Sequence, residues 1–166
     1  GQLFREAVGI PAGSPACPMS LAIGPMEEGH LDKLAELEGL CFSQPWSRQS
    51  LAEELGNPQA CFLVCTQGQE VLGYGGMHFA AGEFFIDNIA VFPAHRRKGA
   101  GRAIVSAMAA FAQGHGGQSL SLEVRPSNTA AVALYHSLGF GEVGRRRGFY
   151  ASPAEDALIM TLVLPG

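Results

Sequence analysis

The run from Ile89 to Val105, IAVFPAHRRKGAGRAIV, limits what this chain can become more than any other stretch. An apolar, strand-like segment breaks at Pro93 into a basic, glycine-spaced turn, and the turn opens a helix. The first turn of a helix carries backbone N–H groups without intrahelical acceptors, together with the positive end of the helix dipole, so a pyrophosphate placed there meets aligned donors. Gly99 and Gly101 allow close backbone approach. Arg96, Arg97, Lys98 and Arg102 gather positive charge around the same point, with Ala100 between the two glycines. Neither a GxGxxG fingerprint nor the GK[ST] ending of a P-loop is present, which argues against both common nucleotide sites. Taken alone, the loop reads equally well as an anion site or as a solvated basic turn.

Composition narrows the class. The chain has 166 residues, 47% of them hydrophobic, enough for one domain that buries on the order of two-thirds of its unfolded surface around one core. A formal net charge of -4 removes the overall positive field of a nucleic-acid binder, so the arginines near Gly99 read as a local phosphate site and no nucleic-acid partner is expected. Cys17, Cys41, Cys61 and Cys65 form no CxxC pair and no metal-ligand spacing, so no metal is expected. Cys61 and Cys65 fall on one face of a strand as small apolar fillers, consistent with a reduced cytoplasm. No apolar run approaches the ~20 residues of a membrane span, and the N-terminus lacks a basic region followed by an apolar one. The expectation is a soluble, cytoplasmic protein without a membrane partner. Residues 1–19, rich in Gly, Pro and Ala, read as an extension, with Gly1 a cloning remnant and the folded unit over 20–166.

Periodicity then supplies the elements. A strand in SLAIGPM precedes a helix over Glu27–Leu40, whose apolar positions Leu31, Leu34, Leu37 (or Ala35) and Cys41 recur on an acidic background. Ser47 is a plausible N-cap for a second helix that carries Leu51 and Leu55 and stops at Gly56-Asn57-Pro58. Phe42 and Trp46 lie between the two, either packing the helix-loop junction or lining a substrate groove. CFLVCT, VLGYGGMHF and EFFIDNIAVF form an antiparallel meander. Gly73, Gly75 and Gly76 inside the second of these point to a bulge or to a group passing close to the backbone. The basic loop leads into a helix to about Gln113, with Ile104, Val105, Met108, Phe111 and Ala112 buried. SLSLEV is a fifth strand, Asn128–Leu138 a helix closed by Gly139, and two more strands fill Gly141–Leu164. This is a mixed α/β (α+β) domain with one largely antiparallel, seven-stranded sheet and about four helices.

Strand alternation puts Leu122 and Val124 on one face and Glu123 and Arg125 on the other, so with the apolar pair in the core Glu123 points toward solvent or a site. Tyr135 lies about two turns into the following helix, ~10 Å from its start, and can face the same cleft. Each has a plainer reading: Glu123 paired with Arg125 or Arg145, Tyr135 as core packing, Asn128 as a helix cap. His30 reads as a helix-start residue, and His78, His95, His115 and His136 as surface or loop residues.

The segment LEVR-x-SN-x-AA-x-ALY-x-SLGF, over residues 122–140, resembles the signature of bacterial ribosomal-protein-alanine N-acetyltransferases, the RimI type within the GNAT superfamily. The loop Arg96-x-x-Gly99-x-Gly101 resembles the acyl-coenzyme A loop of that superfamily. PW before a Ser-capped helix, the IAV strand, the RRRGFY run and the EDALIM ending follow in matching order, so the resemblance covers about residues 20–164. It implies a GNAT fold, acetyl-CoA as co-substrate without a metal, and Nα-acetylation of a protein N-terminus, that of a small-subunit ribosomal protein beginning with alanine. By position it assigns Glu123 as proton acceptor, Asn128 as an acetyl-CoA contact and Tyr135 as proton donor. Backbone groups of Ile89, Ala90 and Val91 would hold the pantetheine arm. Phe42, Trp46 and Tyr150 would border the peptide. A carboxylate must draw a proton from the α-ammonium before it can attack a thioester, and a phenol can protonate the departing thiolate. RRRGFYAS stands where R-x-NYYP is more usual, and His95 where an aromatic residue often precedes the loop. The alternatives are a GNAT enzyme acting on another amine, a small metabolite or a lysine side chain, or a non-catalytic acyl-CoA-binding module.

Overall fold

A computed structural model describes residues 20–165 of the chain; the extension expected at 1–19, with Cys17, lies outside them. Seven strands, β1 (Leu21–Pro25), β2 (Ala60–Gln67), β3 (Glu70–Ala80), β4 (Glu83–Val91), β5 (Ser119–Val124), β6 (Gly141–Ala151) and β7 (Ala154–Val163), form one sheet in the order β1-β2-β3-β4-β5-β7-β6. Among the described residues four α-helices accompany them: α1 (Leu31–Cys41), α2 (Arg48–Glu54), α3 (Ala100–Gly114) and α4 (Thr129–Ser137). Every strand pair is antiparallel except β4 with β5. This is the mixed, mostly antiparallel architecture that the pattern predicts.

The sheet divides the expected single core into two apolar clusters, because β2 is buried on both faces. Phe62 and Val64 join Leu31, Leu34, Leu37 and Leu51 of α1 and α2, while Cys61, Leu63 and Cys65 join Ile104, Val105, Met108 and Phe111 of α3. Alternate side chains of one strand point to opposite faces, so a run with no polar position must be covered twice. Burial pushes the Cys61 thiol up to about 12 and that of Cys65 up to about 11, leaving both as unreactive filling. α3 buries the five residues that its periodicity marks, together with Ala100. The first helix begins later than its pattern indicates. Glu28–His30 forms a 3-10 turn in which the His30 Nδ1 accepts the Glu27 N–H at 3.0 Å, and α1 starts at Leu31. Ser47 caps α2, its hydroxyl accepting the Ser50 N–H at 3.1 Å.

The middle of β3 is squeezed between the two layers. A Cβ on Gly76 would lie 2.4 Å from Phe62 Cε2, closer than any packed carbon tolerates, and the register against β4 slips between Gly76 and Met77. Both expectations for the glycine cluster, a bulge and a close approach, are met here. Beyond the slip β4 stays paired with β3 up to Val91, but its parallel pairing with β5 covers only Glu83, Phe84 and Phe85. On its other edge β5 pairs with β7 along its whole length, from Ser119 opposite Val163 to Val124 opposite Leu158, while past Ser121 its β4-facing edge has no register partner among the described residues. The sheet therefore opens between β4 and β5.

Candidate active site

The basic loop stands beside this opening. Pro93–His95 makes a 3-10 turn, and two of the following residues take left-handed backbone, Arg97 at φ +67° and Gly99 at φ +85°. Gly99 is the N-cap of α3 and offers no side chain for capping, so the first amides of the helix face outward as donors. Arg97 in that region carries a strain on the order of 1–2 kcal/mol. Arg96, Arg97, Lys98 and Arg102 are exposed, whereas Ala100 is buried and can contribute only its backbone. Several of these cations are oriented by neighbours. Arg96 Nη2 lies 3.8 Å from Cys41 Sγ, Lys98 Nζ lies 3.3 Å from His95 Nδ1, and Arg102 donates to Ser137 Oγ at 2.8 Å. Ile89, Ala90 and Val91 lie on the stretch of β4 that β5 leaves unpaired.

Glu123 sits two residues past the last β4–β5 pair, with Leu122 and Val124 buried on the opposite face. Its Oε1 lies 3.4 Å from Arg146 Nε of β6, so its ion-pair partner is Arg146 rather than Arg125 or Arg145. Its Oε2 is buried and has no hydrogen-bond partner among the described residues. A buried carboxylate oxygen calls for a hydrogen-bond donor, and the described residues provide none here.

Tyr135 on α4 is 8% exposed and packs on Phe140 with ring centroids 5.6 Å apart. Burial, followed by the nearby Tyr150 phenol, pushes its pKa up to about 12. Tyr150 is raised by burial and then by the charge of Glu123, and the Arg125 guanidinium lies 4.1 Å over its ring. Tyr150 thus feels Glu123 and acts on Tyr135, which ties the three into one neighbourhood. Asn128 Oδ1 accepts the Ala131 N–H at 3.2 Å and caps α4. The preceding turn is anchored to β7, with Glu155 accepting from the backbone and hydroxyl of Ser127, both at 2.8 Å.

Two loops meet over this region. Ser43 Oγ donates to the Ser152 carbonyl at 3.1 Å, joining the α1–α2 loop to the β6–β7 turn, and Arg125 donates to the Pro153 carbonyl of that turn at 2.8 Å. Phe42 in the first loop is exposed. Trp46 lies against Phe62 with centroids 5.7 Å apart, which is the packing arrangement allowed for it at the helix-loop junction.

Some of what surrounds the site escaped the sequence reading. Glu38 of α1 is fully buried and accepts from Trp46 N–H, Tyr74 Oη and Asn88 Nδ2. A signal was present, since Glu38 follows Leu31 by seven positions and Leu34 by four and so lies within the apolar stripe. His78 is also not a loop residue. It stands on β3 with Nε2 2.8 Å from Glu54 Oε2 and Nδ1 bonded to Asp87. His95 and His136 pair with Glu70 and Glu142, at 2.9 and 3.5 Å. The contacts Glu38–Asn88, His78–Glu54 and His95–Glu70 join residues 50, 24 and 25 positions apart and leave no spacing to read.

The acetyltransferase (GNAT) family matches residues 31–140, a span that contains α1, the opened strand, the basic loop, Glu123 and Tyr135. The chain belongs to that family. As a GNAT enzyme it draws its acetyl group from acetyl-CoA. The [ribosomal protein bS18]-alanine N-acetyltransferase of Escherichia coli K12 is 35% identical over 142 residues, covering 84% of this chain and 95% of that one. The crystal structure of the ribosomal-protein-S18-alanine N-acetyltransferase from Escherichia coli superimposes with a TM-score of 0.80 at 32% identity, over 89% of this chain and 96% of that one. An uncharacterized protein of Mycobacterium leprae is 33% identical over 146 residues, and the chain spans 40% of its length. No helix among the described residues is long and apolar enough to cross a membrane.

Proposed function

We propose that this GNAT enzyme acetylates the α-amine of a protein N-terminus, that of a ribosomal protein of the bS18 type beginning with alanine, by direct transfer within a ternary complex. The observation that carries the reading is the buried, unpartnered Oε2 of Glu123 at the mouth of the β4–β5 opening. The acceptor is inferred from the E. coli relative that is 35% identical and named for that substrate. A net charge of -4 also suits the basic tail of a ribosomal protein. On this reading residues 20–166 make up one GNAT domain, working in the cytoplasm where ribosomal proteins are made.

The residues present fit acetyl-CoA. The outward amides at the start of α3, with Arg96, Arg97, Lys98 and Arg102 around Gly99, Ala100 and Gly101, would hold the pyrophosphate. Backbone groups of Ile89, Ala90 and Val91 would take the pantetheine arm as an added strand in the gap, and Asn128 would touch it from the cap of α4. The bound thioester supplies an electrophilic carbonyl carbon and a thiolate that can leave. Glu123 Oε2 accepts the proton of the incoming ammonium, which frees its lone pair for the new C–N bond. The Tyr135 hydroxyl, held neutral across physiological pH by its raised pKa, would give its proton to the sulfur as the C–S bond breaks and be reprotonated by the second proton that the new amide nitrogen loses, while Glu123 returns its own proton to solvent. Phe42, Trp46 and Tyr150 border the peptide.

Mass spectrometry of the bS18 N-terminal peptide after incubation with acetyl-CoA tests this. The expected product carries one acetyl group on the alanine nitrogen. Acetylation confined to lysine side chains, or to small amines with the peptide untouched, would replace the proposed acceptor.

A further inference from the structure

Glu38 is the one charged residue that is fully buried among the described residues, and the chemistry proposed above makes no use of it. A carboxyl group removed from water is costly unless every lone pair is engaged, and at a stripe position next to Leu34 and Leu37 another leucine would pack without that cost. Its retention calls for a geometric reason, and its partners supply one. Oε1 accepts the backbone N–H of Trp46 at 2.8 Å, and Oε2 accepts the Tyr74 hydroxyl at 2.7 Å. Asn88 Nδ2 reaches both oxygens at 3.3 Å and the Tyr74 oxygen at 3.2 Å.

Those partners belong to different parts of the site. Trp46 belongs to the α1–α2 loop that carries Phe42, on the side where the amine substrate would enter. Asn88 directly precedes Ile89–Val91, the segment assigned to the thioester. Tyr74 is the register partner of Ala90 within that segment. A single carboxylate therefore fastens the acceptor loop to the donor strand, and it does so beside the bulge where β4 turns away from β5.

We propose that Glu38 is a positioning residue of this acetyltransferase: through Trp46 on one side and Asn88 and Tyr74 on the other it sets the gap between the incoming amine and the acetyl carbonyl. This rests on the N-terminal acetyltransferase reading. Glu38 has no access to either reactant and acts only through the elements it joins. The acyl carrier gains its affinity at the basic loop, so loosening this tie misplaces the peptide far more than the coenzyme.

The test compares wild type with Glu38→Gln and Tyr74→Phe, using the bS18 peptide, acetyl-CoA and the fluorescence of Trp46, the chain's single tryptophan. Glu38→Gln is expected to raise the peptide KM about tenfold, with the acetyl-CoA KM within about twofold of wild type. Tyr74→Phe keeps the carboxylate and should show the same split at smaller size. Both should shift Trp46 emission in the absence of substrate. Folded variants with unchanged peptide KM and unchanged emission would overturn the proposal. So would a lower kcat at constant KM values with fewer coenzyme A sites per chain, because that reports only lost folded protein. Should wild type leave the peptide unacetylated, the acceptor reading fails on its own. The emission shift, measured without peptide, then decides whether Glu38 holds the loop.

Discussion

Arg146 Nε lies 3.4 Å from Glu123 Oε1, while Oε2 of the same carboxylate is buried and unpaired. One oxygen is oriented by a cation from β6, and the other is left for a donor that the folded chain does not itself supply. Glu123→Gln should lower kcat by about 10²–10⁴-fold, the range of a general base, with acetyl-CoA affinity unchanged. Arg146→Ala, at a side chain 59% exposed, should cost no more than about tenfold, and the deficit should shrink at high salt. Steady-state kinetics with calorimetric coenzyme A binding checks both; a Glu123→Gln enzyme with normal turnover would retire the base assignment.

Tyr135→Phe keeps the ring against Phe140 and removes only the hydroxyl. The expected result is a kcat lower by roughly 10–100-fold at unchanged thermal stability and unchanged coenzyme affinity. A loss seen entirely as weaker coenzyme binding would contradict the proton-donor role.

Arg97→Ala combined with Arg102→Ala should weaken coenzyme A binding by roughly tenfold at low ionic strength and by less as salt rises, since both side chains are exposed. Gly99→Ala acts differently, because φ +85° is strained for any residue with a Cβ at a cost of about 1–2 kcal/mol. Binding isotherms at two salt concentrations separate the effects: the arginine deficit is screened and the glycine deficit is not.

His78 links α2 to β3 and β4 through Glu54 and Asp87. Burial alone would lower its pKa, but hydrogen bonds and charge from those two carboxylates outweigh it and raise the value above the ordinary 6.5. A raised histidine pKa means that the folded state binds the proton more tightly, so its stabilisation is complete below about pH 6.5 and fades as pH climbs through the folded-state value. His78→Ala should therefore cost about 1–2 kcal/mol near pH 6 and less near pH 9, as the imidazole is partly solvent-exposed. Urea unfolding of both proteins at the two pH values measures this, and a pH-independent difference would exclude the charged form.

Local residue pattern carried the element order, the buried face of α3, the caps at Ser47 and Asn128 and the glycine-driven bulge in β3. These features arise between residues a few positions apart, where covalent geometry restricts the options. The pattern predicts α-helix from Glu27, but Glu28–His30 forms a 3-10 turn, since over a single turn the two helix types share nearly the same spacing.

Tertiary structure decided the rest. That β4 leaves β5 after Phe85, that Arg146 rather than Arg125 or Arg145 meets Glu123, and that Glu38 faces Tyr74 and Asn88 instead of water all depend on pairings across 23 to 50 residues. The sequence by itself determined which residue types stand ready for acyl-transfer chemistry and on which element each rides. Packing determined which of them meet, because the direction of a side chain is local whereas the surface it is pressed against is set by the whole sheet.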